Sequence, residues 1–232
     1  MKHLTKSIGK CLSLMLALIM CMSLSIPAFA AEERIVSDEE IAAVLDKLNA
    51  EYHTNIHALS AAELTQLGLP VTNPEPMTVS ELAELENTLR NIAETHIPQF
   101  KRNTQEAFIA IANIGMYNLL SKIPNSDDIL PLATNPVTAT KEIESAVAGA
   151  VAYISENLFG KSIWGEIQRG FCITDTEQST WFRATNPTVT RIDSNSTLYW
   201  VGTGNYYSNI NGTQYYLYSG TQYAEMYVND YE

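Results

Sequence analysis

Aromatic residues are concentrated in the C-terminal part of this chain, and this distribution constrains its fold more than any other feature. Nine of the twelve tyrosines and all three tryptophans follow residue 160. They lie in short runs such as 197–201 and 214–218, which Gly, Asn and Ser residues separate. Tyr and Trp favour strands, and Asn211-Gly212 and Ser219-Gly220 are typical of hairpin turns. The pattern predicts an antiparallel β-rich domain over residues 141–232, built as a sandwich or a small barrel.

The segment 31–120 has a different pattern, because its apolar residues recur at helical spacing. Three capping boxes, in which Ser or Thr is followed three residues later by Glu, indicate helix starts at Ser37, Ser60 and Thr78. The helix that follows Thr78 is predicted to end at Pro98, and a further helix is predicted from about residue 104. The sequence therefore predicts an α+β protein with a mainly helical N-terminal region.

The boundary between the two regions is expected at residues 121–140. Three prolines and the polar run Asn125-Ser126-Asp127-Asp128 are typical of a linker or an exposed loop. The segment 141–159 that follows fits both a helix and a strand, since its apolar residues recur at helical spacing and also alternate in part. Of the two, we favour the strand.

Residues 1–30 have the pattern of an export signal. Three lysines and no acid precede the apolar stretch 11–26, and small residues at Ala28 and Ala30 suit a signal peptidase. Cleavage is expected after Ala30, which predicts a secreted, extracellular protein. A retained membrane anchor and a lipoprotein acylated at Cys21 are the alternatives, but the stretch is short for an anchor and no small residue precedes the cysteine.

Charge and cysteine content limit the partners. Removing residues 1–30 takes away three lysines and no acids, which changes the formal charge from −12 to −15. Nucleic acids and anionic membranes are recognised through clustered Lys and Arg, so an acidic chain without a basic run argues against both. Two of the three cysteines lie in the signal, and only Cys172 remains. An intramolecular disulfide is therefore not expected.

Few residues suggest catalysis or metal binding. His53 and His57 have the spacing that would let two imidazoles on a helix bind one metal, but the glutamate of a zinc protease motif is missing and a strand is expected here. Cys172 would need a histidine to become a nucleophile, and all the histidines precede it without a family signature. Surface histidines and a core cysteine are the simpler interpretation, so no catalytic residue, metal site or cofactor is predicted.

The aromatic residues of the C-terminal region provide the one positive hypothesis on binding. Exposed rings on a sheet face could stack against sugars or pack on a partner protein. The alternative, which we favour, is that the rings fill the core and pair across strands. The candidate binding residues are Trp164, Trp181, Trp200, Tyr206 and Tyr215.

Two segments, 48–57 (LNAEYHTNIH) and 191–227 (from RIDS through YAEMY), resemble small secreted proteins of Gram-positive bacteria. The resemblance covers about a third of the chain, and the family is uncharacterised. It implies an exported Gram-positive protein and supplies no site residues.

Three functions remain open from the sequence. The first is a secreted, non-enzymatic protein whose β domain binds a ligand or a surface, such as cell-wall glycan or another protein. The second is a secreted, peptidase-like hydrolase that uses His53, His57 or Cys172. The third is a self-associating extracellular structural protein whose sheet edges pair between copies.

Overall fold

The computed structural model describes residues 34–71, 75–120, 130–131, 136–157 and 159–231. The predicted export signal, 1–30, and most of the predicted linker, 121–140, lie outside these ranges. The described part of that linker contributes to two strands, one at Leu130–Pro131 and one that begins at Val137.

Two helices, α1 (Asp38–Tyr52) and α2 (Ala61–Leu67), begin at the predicted capping boxes. Ser37 Oγ accepts a hydrogen bond from the backbone N–H of Glu40 at 3.4 Å, and Glu40 Oε2 accepts one from the backbone N–H of Ser37 at 3.0 Å. The box at the start of α2 has the same reciprocal geometry. Because each box satisfies donors that a helix N-terminus leaves free, the local sequence defines where these helices begin.

The third helix, α3 (Val79–Leu120), continues through Pro98, so the predicted break there is wrong. A proline inside a helix removes one N–H donor and crowds the preceding turn, which costs about 3 kcal/mol. Buried residues on both sides of the proline offset this cost, since Leu89 and Ile97 before it and Phe100 after it are in the core. Tertiary packing of one helix face therefore outweighs the local signal.

The strands of the described residues pair antiparallel in two sheets. They are β1 (His57–Ala58), β2 (Leu130–Pro131), β3 (Val137–Ile143), β4 (Ala146–Glu156), β5 (Ser162–Ile173), β6 (Thr180–Ala184), β7 (Thr188–Ile192), β8 (Thr197–Ile210) and β9 (Thr213–Tyr227). In the first sheet β9 lies between β1 and β8, and β8 also pairs with β6 and β7. In the second sheet β4 pairs with β2, β3 and β5. The predicted α+β class is confirmed, and in the described residues the sheets do not close into a barrel.

Strands β3 and β4 form a hairpin that includes residues 141–156 of the ambiguous segment 141–159, which confirms the favoured interpretation. Its second strand carries small residues where the two sheets approach, and Ala148 and Ala150 are fully buried. A Cβ at Gly149 would lie 2.2 Å from the ring of Phe171. The small side chains of β4 therefore make room for the larger rings of the neighbouring strands. A helix over the same residues would not require small side chains at these positions.

The longest hairpin joins β8 and β9 through the predicted Asn211-Gly212 turn. Both turn residues have positive φ, 51° and 80°, as a two-residue hairpin turn of this type requires. The second predicted turn, Ser219-Gly220, is wrong, because these residues lie inside β9 and pair with Asn205 and Gly204 of β8. A Cβ at Gly220 would lie 2.5 Å from the hydroxyl oxygen of Thr104 on α3. This glycine thus permits close approach of the helix and does not form a turn.

Side chains and isolated backbone hydrogen bonds, rather than a continuous backbone ladder, connect the two sheets. The indole N–H of Trp164 on β5 donates to the carbonyl oxygen of Met226 on β9 at 3.1 Å. The indole N–H of Trp200 on β8 donates to the carbonyl oxygen of Phe171 on β5 at 2.9 Å. Each tryptophan therefore fills the space between the sheets and satisfies a backbone group of the opposite sheet.

Helix α3 covers the first sheet along β9. The ring of Phe100 stacks on that of Tyr206, with centroids 3.7 Å apart, and Thr104 Oγ1 accepts a hydrogen bond from the backbone N–H of Thr221 at 3.0 Å. None of the helices within the described ranges is both long enough and apolar enough to cross a bilayer.

Candidate functional site

The five aromatic residues considered as binding candidates are all buried. Trp164, Trp181, Trp200 and Tyr206 have exposed fractions of 0%, and Tyr215 has 2%. They are spread through the core and do not meet in one site. Their burial leaves none of these rings a free face for a ligand, although Trp181, which stacks on Tyr207, forms part of the wall of a cavity described below.

His53 and His57 do not converge on one metal. His53 ends α1 in a left-handed conformation with φ 52°. The ring of His57 stacks on Tyr216, with centroids 5.0 Å apart. Its Nδ1 lies 2.9 Å from the carbonyl oxygen of Asn55, and its Nε2 lies 3.2 Å from Glu63 Oε1. Within the described ranges, no group of three or more His, Cys, Asp or Glu side chains is placed to hold a metal ion.

Ser60 contacts Glu63, the carboxylate that also contacts His57, but the order of these three side chains does not make the serine a nucleophile. Ser60 Oγ donates to Glu63 Oε2 at 2.6 Å and accepts from the backbone N–H of Glu63 at 3.3 Å. In a catalytic triad the imidazole lies between the hydroxyl and the carboxylate. Here the carboxylate lies between Ser60 and His57, so the arrangement caps α2 and orients the imidazole.

Cys172 is a half-buried thiol on β5. Burial raises its pKa above the ordinary thiol value, although a backbone hydrogen bond from Ala184 and the side chain of Thr174 act in the other direction. A nucleophilic cysteine needs the opposite shift, because the thiolate is the reactive form. The environment of Cys172 therefore keeps the thiol protonated.

A cavity of about 430 Å³ opens between α2 and strands β6, β8 and β9. Tyr207 forms part of its wall and is nearly buried, while Tyr216 is partly exposed. Asn205 Nδ2 donates to Tyr207 Oη at 3.1 Å, which fixes two polar groups at the wall. The chemically distinctive lining residues are His57, Glu63, Arg183, Asn205, Tyr207 and Tyr216.

A second cavity of about 570 Å³ adjoins the first. The two share Leu67, Arg183 and Ala184 as lining residues. Strand β5 forms the far wall of the second cavity with Phe171 and Cys172. We call the two adjoining cavities the trough, and Arg183 lies where they meet.

The ionisable groups of the trough differ in their hydrogen-bond and ion-pair partners. The pKa of Glu63 is lowered, first by the hydroxyl of Ser60, then by its backbone N–H and by His57. Burial raises the pKa of Tyr207, which keeps its phenol protonated. Arg183 donates to the carbonyl oxygen of Leu67, and in the described part of the chain it forms no ion pair with a carboxylate. The trough therefore holds one engaged acid and one arginine without a counter-ion.

A third cavity, of about 800 Å³, lies between α1 and the tip of the β8–β9 hairpin. Ile41 and Leu45 of α1 and Met77 line it together with Tyr215 of β9. It is thus mostly an apolar gap between the helices and the sheet.

The sequence singled out His57, Cys172 and Trp181, which all line the trough, but not its other polar residues. Tyr216 could have been found, because it lies between the buried residues Tyr215 and Leu217 and strand alternation directs it to the other face. Arg183 and Asn205 carry no such signal. They come together because β6 and β8 pair, with Arg183 directly opposite Asn205.

Comparison with known proteins yields one structural similarity. No protein-family model matches the chain, and no curated protein matches it. Among solved structures, a hypothetical protein from Listeria monocytogenes EGD-e is similar over 45% of this chain and 77% of that chain, with 10% sequence identity and a TM-score of 0.22. The name of that protein assigns it no activity.

Proposed function

We propose that this chain is a secreted, non-enzymatic protein that binds a glycan in the trough. The observation that carries the proposal is the lining of the trough, in which a partly exposed tyrosine stands among amide, hydroxyl and guanidinium groups. Small-ligand sites are concave, of roughly 300–1,000 Å³, and combine aromatic surface with a few polar groups that fix orientation. Both cavities of the trough fall in this range.

Tyr216 is the aromatic contact in this proposal. Its ring is held by His57 at a centroid distance of 5.0 Å and by the edge of Tyr207 at 6.2 Å. A ring already held in place loses little conformational freedom when a ligand stacks on it. The neighbouring amides of Gln66 and Asn205 can pair with sugar hydroxyls.

The absence of catalysis is part of the proposal. The Ser60, Glu63 and His57 contacts are in the wrong order for a nucleophile, and burial holds Cys172 as a thiol. We therefore assign the polar groups of the trough to binding.

The proposal is tested by co-sedimentation of the purified protein with insoluble Gram-positive cell wall and with a panel of polysaccharides. We expect salt-resistant binding to one polymer, and we expect Tyr216→Ala to weaken it at least tenfold, because the ring face is lost. Tyr227→Ala is the matched control, since Tyr227 also lies on β9, is 47% exposed and is not part of the trough.

Equal loss in both variants, or retention in both, would contradict the role of Tyr216. Near-ultraviolet circular dichroism of each variant separates a lost contact from a lost fold. Release of soluble fragments from any polymer in the panel would contradict the non-enzymatic assignment and favour a hydrolase.

Export is tested separately. In a Gram-positive host that expresses the full chain, we expect the protein in the culture medium with Ala31 as its first residue, because Ala28 and Ala30 suit a signal peptidase. N-terminal sequencing gives the answer. Protein retained in the cells with residues 1–30 intact would contradict export.

A further inference from the structure

We propose that Arg183 binds a carboxylate on the ligand, so that the glycan bound in the trough contains an acidic sugar. This inference rests on the proposed function and specifies its ligand. It follows from the position of Arg183, from its lack of a counter-ion and from the surrounding charges.

Arg183 occupies the junction of the two cavities. It lies on β6 two residues after the buried Trp181, so both side chains are on the same face of the strand, and both line the second cavity. One of its N–H groups donates to the carbonyl oxygen of Leu67. This bond ties the guanidinium to the end of α2, and the remaining donors are available to a ligand.

The other charged groups of the trough do not neutralise Arg183. Glu63 is the acid that lines the first cavity, and it is engaged by Ser60 and His57 at 2.6 and 3.2 Å. Among the described residues that line the second cavity, Arg183 is the one charged side chain. Among the described residues that line the trough, Arg183 is thus the one cationic side chain that has no carboxylate partner.

Guanidinium and carboxylate groups form two parallel hydrogen bonds, which makes arginine the preferred partner of a planar anion. The formal charge, −15 once residues 1–30 are removed, disfavours a polyanion, since repulsion grows with the number of ligand charges. A glycan with widely spaced carboxylates can form the paired hydrogen bonds with Arg183 and carries few negative charges. A densely charged polymer can form the hydrogen bonds but is repelled by the protein.

A peptide carboxylate is less well suited to this site. An extended peptide normally binds by adding to a free strand edge. Next to Arg183, the backbone N–H of Phe182 already donates to the carbonyl oxygen of Ser145 at 2.8 Å, and the carbonyl of Phe182 accepts from Thr174 Oγ1 at 2.9 Å. The hydroxyl and amide groups at the wall suit sugar hydroxyls instead.

The test is isothermal titration calorimetry of the purified protein with two tetrasaccharides. One alternates glucuronate and N-acetylglucosamine, and the other is the same compound with its carboxylates reduced to primary alcohols. We expect the acidic form to bind at least about tenfold more tightly. Arg183→Gln should abolish this preference, and Arg183→Lys should retain part of it, because lysine keeps the charge and loses the planar fork. Arg102→Gln on α3 is the control, since Arg102 is exposed and lies outside the trough.

The outcomes separate this inference from the proposed function. Equal binding of the two tetrasaccharides would contradict the proposed recognition of a ligand carboxylate, but not the proposed binding of a glycan in the trough. Acid preference that persists in Arg183→Gln would overturn the role of Arg183. Binding of neither tetrasaccharide would overturn this inference, while the polysaccharide panel separately decides the proposed function. Tighter binding of the tripeptide Ala-Ala-Ala than of its C-terminal amide, with no binding of either sugar, would assign the site to peptides.

Discussion

At the scale of single residues, burial decides whether a polar group stabilises the fold or costs free energy. The hydroxyl of Tyr231 donates to the carbonyl oxygen of Thr140 and links the chain end to β3. The hydroxyl of Tyr199 is buried and has no hydrogen-bond partner among the described residues. The same functional group therefore has opposite effects at the two positions.

Replacing each of these tyrosines by phenylalanine tests this difference. Tyr199→Phe should raise the free energy of unfolding by about 1 kcal/mol, because it removes an unpaired buried hydroxyl. Tyr231→Phe should lower it by about 1 kcal/mol through loss of the bond to Thr140. Urea unfolding of the two variants provides the measurement, and a loss of stability in both would show that the hydroxyl of Tyr199 has a partner in solution.

The lowered pKa of Glu40 predicts how the stability of the protein depends on pH. The guanidinium of Arg34 is the main cause that lowers its pKa from the ordinary carboxyl value to about 2, and the backbone N–H of Ser37 adds to this. A lowered pKa in the folded state stabilises the fold above the ordinary carboxyl pKa, and this contribution is lost as the pH falls through about 4.5 towards 2. Glu40→Gln should thus lose less stability than the unsubstituted protein between pH 5 and pH 2. Equal losses in thermal unfolding at these two pH values would contradict the assignment.

At the scale of helices and strands, the structure departs from local sequence preference where packing requires it. Helix α3 continues through Pro98, and the Ser219-Gly220 pair lies inside β9. In both cases the local residues alone favour a helix end or a turn. Burial of Phe100 and the approach of Thr104 to Gly220 then selected a different structure.

Pro98 is exposed in the interior of α3, so its replacement restores a helix donor without a loss of packing. Pro98→Ala should raise the free energy of unfolding by about 1–3 kcal/mol, less the entropy that proline removes from the unfolded chain. Differential scanning calorimetry would record the rise as a higher Tm. A lower Tm would mean that the proline itself contributes to the packing of α3.

Two glycines provide a matched pair for the packing of α3. Gly220→Ala should destabilise the protein by about 1–3 kcal/mol, because its Cβ would lie 2.5 Å from Thr104 Oγ1. Gly115→Ala should stabilise it by about 0.5–1 kcal/mol, since nothing lies within 4 Å of the added Cβ and alanine favours a helix. Chemical denaturation compares both variants with the parent. Destabilisation by Gly115→Ala would show that the end of α3 is in contact with another part of the protein.

At the scale of the whole molecule, stability is concentrated where helix and sheets meet. The first part of α3 is anchored by buried side chains such as Leu89 and Phe100. Further along, Phe108, Ile109 and Ile111 are exposed by 60%, 56% and 39%. The same helix thus passes from the core to the surface.

Hydrogen exchange should follow this division. We expect the slowest exchange in the β8–β9 hairpin and in residues 85–100 of α3, and faster exchange in residues 108–115, because local opening there exposes little buried surface. Mass spectrometry of peptide fragments resolves the two parts of the helix. Uniform protection along α3 would indicate that another surface covers the apolar residues in solution.

The sequence by itself determined the α+β class, the helix starts at Ser37, Ser60 and Thr78, and the Asn211-Gly212 turn. These features depend on contacts within a few residues, so local chemistry suffices. The tertiary structure alone decided that Trp164 and Trp200 lie between the sheets, that α3 continues through Pro98, and that Arg183 lines the same cavity as Tyr216 and Glu63. Those features bring together residues that are far apart in the chain, and only strand pairing and the packing of α3 on β9 specify which of them become neighbours.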